Sequence, residues 1–114
     1  MKTEINILNR PFTLEIIKGK LYDDNDKFQE TELDGQTSKN QGWIKISGNI
    51  SPNTRDETIV HELTHNINDF TLGHKFSDED QELICYLTAN LMMVLRNNGF
   101  IPLTFTMPGK TDKN

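Results

Sequence analysis

Cysteine is almost missing from this chain: Cys85 is the single one in 114 residues. One thiol cannot close an internal disulfide, and zinc fingers or ribbons need several thiolates at short spacing. Any zinc is therefore expected on histidines and carboxylates. Basic residues are scarce too. Twelve Lys and Arg against 17 Asp and Glu leave a net charge of −5, and no Lys/Arg cluster interrupts that background. Such a surface repels a polyanion, so direct nucleic-acid binding is not expected. Long apolar runs are absent: none approaches the roughly 20 residues that cross a bilayer. At the N-terminus Glu4 and Asn6 interrupt Ile5, Ile7 and Leu8, which removes the continuous apolar stretch of a secretory signal. The expectation is a cytoplasmic protein with no membrane segment.

A chain of this length supports one compact core and not two. With 34% hydrophobic and 25% charged residues, a single water-soluble domain is expected over 1–106, and the polar stretch 107–114, which carries Pro and Gly, reads as a tail. Phe12, Leu14 and Ile16 alternate with Thr13 and Glu15, the period of a half-buried strand over 12–18 that Gly19 closes. Residues 22–41 are rich in Asp, Asn, Gln and Gly and read as loop; no motif assigns a role to 19–41. Trp43-Ile44-Lys45-Ile46, bounded by Gly42 and Gly48, reads as a second strand.

Ser51-Pro52 opens a helix, with the capping box at Thr54 to Glu57 as the competing start. Ile59, Leu63, Ile67 and Phe70 give it one apolar stripe, and Gly73 ends it. Ser77 and the acids behind it start a second helix over 78–97, carried by Leu83, Ile84, Leu87, Leu91, Val94 and Leu95 and stopped at Asn97-Asn98-Gly99. Phe100 to Phe105 adds a short strand or an extended segment. The expected architecture is α+β: two or three short strands stacked on two helices, with the first helix between the sheet and the second helix.

Inside that first helix lies His61-Glu62-Leu63-Thr64-His65, an H-E-x-x-H motif. Residues four apart stand one above the other on a helix face, so two imidazoles can reach one ion while the apolar stripe packs behind them. Glu62 projects beside the histidines, where a carboxylate takes a proton from an activated water instead of binding the metal. Two histidines alone also arise by chance; the capped, amphipathic helix around these gives the motif its weight. A third protein donor is needed, with a position left for water. The metzincin spacing would put Gly at 68 and His at 71, where this chain has Asn68 and Thr71. Asp78, Glu79, Asp80 and Glu82 are the acids at the start of the second helix. Glu82 is favoured because the small Cys85 and Ala89 continue its face and allow close approach, with Glu79 next. Cys85 itself reads as a small buried hydrophobe.

The stretches Trp43 to Ile46, Thr58 to His65 and Glu82 to Leu87 together resemble the small gluzincin-like zinc metallopeptidases of phages and mobile elements, relatives of the ImmA/IrrE-type group. The resemblance covers about half the chain and implies a minimal zincin-like domain, with Zn2+ on His61, His65 and Glu82 and with Glu62 as general base. It implies cleavage of a protein or peptide, in that group a transcriptional regulator, inside a bacterial host cell. It also makes the strand before the motif helix the substrate platform, hence Trp43 and Ile44, since such peptidases take substrate as an added strand. Tyr86 and His74 are the candidate transition-state donors. From a different class stands a non-catalytic protein-binding module that retains the scaffold and its metal.

Overall fold

The hairpin that begins the molecule is set by two residues with positive φ, Leu8 (+50°) and Asn9 (+67°). A two-residue loop of that handedness matches the right-handed twist of the strands it joins. It pairs β1 (Lys2–Ile7) antiparallel with β2 (Arg10–Ile16), Ile7 opposite Arg10. The computed structural model describes residues 2–23, 28, 31–73 and 75–101. Along those residues follow β3 (Leu21–Tyr22), β4 (Glu32–Leu33), β5 (Gly35–Ser38), β6 (Trp43–Ile46), α1 (Pro52–Thr71) and α2 (Asp78–Asn97). Four strands form one mixed sheet in the order β1-β2-β6-β5, with β2 and β6 parallel and β5 and β6 antiparallel; β3 and β4 pair separately. The class is α+β. Helix α1 lies between the sheet and α2, touching β5 and β6 on one side and α2 on the other.

Ile7, Phe12, Leu14, Ile44, Ile46 and Ile59 form the core between sheet and α1, with Leu63 and Phe70 packed against it. Ile67, expected on the same stripe, is 44% exposed. Two successive steps of four residues rotate a side chain about 80° around the helix, whereas the path 59, 63, 66, 70 keeps within about 40° of one line. The sheet-facing position thus belongs to Asn66, which is fully buried. Its Nδ2 donates to Thr37 Oγ1 on β5 (2.8 Å) and to the Glu62 carbonyl (2.9 Å), and Thr37 Oγ1 donates to the Trp43 carbonyl (3.0 Å).

Helix α1 starts at Ser51, whose Oγ accepts from the Thr54 amide with Pro52 in the first turn, so the later capping box is not used. Ser77 caps α2 in the same way through the Asp80 amide. Helix α2 meets α1 through Cys85, Ala89 and Met93, while Leu83, Leu87, Leu91 and Val94 face outward. The small side chains win that contact because they let the two axes approach. Two strands of the four-stranded sheet were not anticipated, nor was the β3–β4 pair. In β1 the alternation of Thr3, Ile5 and Ile7 with Lys2, Glu4 and Asn6 is the period of a strand with one covered face, and β5 lies within the segment read as loop. Residues 102–105 and 107–114 fall outside the described residues, so the expected extended segment and tail are not described.

The helices are tied at their far end by Arg96 Nη1 and Asp56 Oδ2 at 2.7 Å, with side chains only 17% and 12% exposed; Arg96 Nη2 also donates to Asn53 Oδ1. Removing one partner strands the other charge in a place water reaches poorly. Arg96→Ala is expected to lower unfolding free energy by about 3 kcal/mol, read as a lower urea midpoint with an unchanged slope.

Candidate metal centre

The third and fourth turns of α1 carry the motif, and both imidazoles turn towards α2. His65 Nε2 lies 2.7 Å from Glu82 Oε1, and His61 Nε2 lies 3.2 Å from Glu82 Oε2. The ring centroids are 4.9 Å apart. Each oxygen of one carboxylate thus addresses one imidazole, the arrangement expected of three donors aimed at a common point. On the other side of His65, Nδ1 stands 3.5 Å from Gln81 Oε1, an acceptor for its N–H in the tautomer that would leave Nε2 free for a metal. Of the four acids at the start of α2, Glu82 is the one at the imidazoles; Asp78, Glu79 and Asp80 are exposed in the first turn.

Glu62 points to the sheet side of the same cluster. It is 7% exposed, and its Oε2 has no hydrogen-bond partner among the described residues. Burial raises its pKa to about 7, the His65 charge opposing and Glu82 adding to the shift. Burial also holds His61 below its ordinary value despite the opposing pull of Glu82, which favours the neutral imidazole that a metal requires. The strand beside Glu62 comes close because Gly35 has no side chain. A Cβ there would stand 2.6 Å from Thr58 Cγ2 and 3.1 Å from Glu62 Cγ.

A cavity of about 400 Å3 opens over these groups, walled by Leu33 to Gly35, by Thr58, His61 and Glu62 of α1, and by Glu82 and Tyr86 of α2. The Tyr86 ring stands edge to face with His61, centroids 4.5 Å apart, and is 55% exposed. His74 is outside the described residues. Trp43 and Ile44 do not border the cavity. The expectation that 43–46 takes an added strand is corrected by topology: β6 is hydrogen-bonded on both sides, to β2 and β5, and Ile44 is fully buried. Among the described residues, the strand next to the cavity with one side unpaired in the sheet is β5, from the segment left without a role. Its sequence Gly-Gln-Thr-Ser has neither alternation nor branched apolar residues, so only the Gly was a signal.

Cys85 lies one turn beyond Glu82 on the same face of α2. One ligand atom from each of His61, His65 and Cys85 falls within 4.8 Å of the others. Burial, with the Glu82, Glu62 and Asp69 charges, pushes the thiol pKa up to about 12. Comparison with protein-family models, curated proteins and solved structures finds no match.

Two measurements follow from Glu62. In metal-free protein its folded pKa lies above the ordinary carboxylate value, so the native state holds the extra proton. Its contribution to stability is full below about pH 4 and is lost as pH rises through about 7. Urea midpoints across that window should fall with pH, and Glu62→Gln should flatten the slope. Gly35→Ala is expected to destabilise by about 1–3 kcal/mol through overpacking, although Gly→Ala in a relaxed strand stabilises; a raised melting temperature would contradict the contact with α1.

Proposed function

We propose that this chain is a zinc-dependent metallopeptidase of narrow specificity. His61, His65 and Glu82 hold the metal, and Glu62 is the general base. The observation that carries the reading is the convergence of both Nε2 atoms on one carboxylate, next to a buried carboxyl with an unpartnered oxygen. Nitrogen and carboxylate donors suit zinc, and the neutral state favoured for His61 agrees with coordination. Zinc, when bound, would acidify a water molecule and polarise a carbonyl. Glu62, with a pKa near operating pH, takes the proton of the attacking water and passes it to the departing amine. Tyr86, on the cavity wall beside His61, is the donor available to the developing oxyanion.

An extended peptide laid beside β5 would run past Glu62, with main-chain hydrogen bonds supplying affinity. Protein or peptide is therefore the substrate class, and a transcriptional regulator is the particular substrate that the resemblance suggests. A second reading is a non-catalytic protein-binding module that keeps the metal for stability. It draws on the outer face of α2: residues 83–95 contain no charged side chain, and four apolar ones face outward.

Purified protein is expected to carry one zinc per chain, and Glu62→Gln to keep it. Proteins cleaved in cells expressing the wild type should be intact in cells expressing Glu62→Gln, by mass spectrometry of new termini. Identical termini in both, with partner-dependent effects preserved, would favour the binding module; absence of bound zinc would remove the metal from either reading.

A further inference from the structure

Cys85 is completely buried at the contact between α1 and α2, yet Ala89 and Met93 beside it show that this contact needs only an uncharged side chain. What distinguishes position 85 is its neighbours. The sulfur stands within 4.8 Å of a ring nitrogen of both His61 and His65. Donors sharing one tetrahedral ion at about 2.0–2.3 Å stand roughly 3.3–3.8 Å apart, so closing by about 1 Å, through rotation of the thiol and the rings, brings all three onto one ion. The second observation is independent of the sulfur: Glu62, next to His61 in the chain and more than nine-tenths buried, has an oxygen with no partner among the described residues.

We infer that Cys85 is a metal ligand, so that His61, His65 and Cys85 form the buried part of the donor set and Glu82 is its exchangeable member. This rests on the metal reading above and goes beyond it. The Glu82 side chain is 46% exposed and borders the cavity, whereas Cys85 is sealed between the helices. The exposed donor is the one that can yield its place to water or to a substrate carbonyl. On binding, the S–H proton goes to solvent and a sulfur–metal bond forms. A thiolate also makes the site soft, favouring zinc over magnesium, calcium or manganese.

Cobalt(II) added to the metal-free, full-length protein tests this. One equivalent should give an intense thiolate-to-cobalt band in the near ultraviolet, retained in Glu82→Gln and lost in Cys85→Ser. X-ray absorption of the wild-type zinc protein reads the same point without a variant: a sulfur scatterer at about 2.3 Å beside nitrogens at about 2.0 Å. Stoichiometric metal with no sulfur in its shell and no thiolate band would overturn the inference while leaving the peptidase reading standing. Failure to bind either metal would overturn both.

Discussion

The contact between Glu82 and the two imidazoles holds the centre of this molecule, because it is where the two helices meet chemically as well as sterically. Helix α1 alone offers two nitrogens on one face, which is half of a metal site. The further donors that a metal site would need stand on α2, where the small Cys85 and Ala89 let the helices approach closely. Arg96 and Asp56 fix the far end of the same pair, about two and a half turns from His65 along α1 and about four from Glu82 along α2. A helix pinned at both ends by charge and along its middle by small side chains has little freedom to slide. That restriction is what a coordination shell needs, since its donors must be positioned by structure rather than by the ion.

The sheet acts on Glu62 in a parallel way. Gly35 admits the strand to van der Waals distance of the carboxyl stem, and Asn66 locks the next turn of α1 to Thr37 on that strand. Glu62 is thereby held out of water with an oxygen unsatisfied, which raises its pKa and destabilises the ionised form. In a purely structural carboxylate this is a defect. For a proton acceptor working near neutral pH it is the required setting.

Both helices were legible because caps and periodicity act within a few residues: Ser51 and Ser77 bound them, and the H-E-x-x-H spacing is itself a helical period. Glu82 was legible as one of four acids, since the face it shares with Cys85 and Ala89 is a local property. The fate of Ile67 and of the outward leucines on α2 was less legible. Which of two apolar stripes packs depends on which partner comes closer, and that is decided between elements. Strand β5 was the least legible part. Gly-Gln-Thr-Ser carries little strand propensity beyond that of Thr37 and is held by pairing to β6 and by Asn66, contacts separated by up to 29 residues. The role expected of Trp43 and Ile44 moved with it, because strand order cannot be read from a strand's own residues.

Natural chains place their polar groups consistently with burial except where another demand intervenes. Here Asp56, Glu62, Asn66 and Asn68 are all buried, and all lie on α1. Asp56 answers to Arg96, and Asn66 to Thr37. Asp56 Oδ1, Glu62 Oε2, Asn66 Oδ1 and Asn68 Nδ2 each lack a partner among the described residues, and of these four residues only Glu62 borders the cavity. A small domain tolerates few such groups, since one unsatisfied buried polar atom costs about 1–3 kcal/mol against a total of roughly 5–15. Replacement of Glu62 by an apolar residue would relieve that strain without disturbing the Asn66 and Gly35 contacts around it. The carboxyl therefore stands where stability alone argues against it, beside two imidazoles that share another carboxylate, which is why the proposal gives it the role of general base.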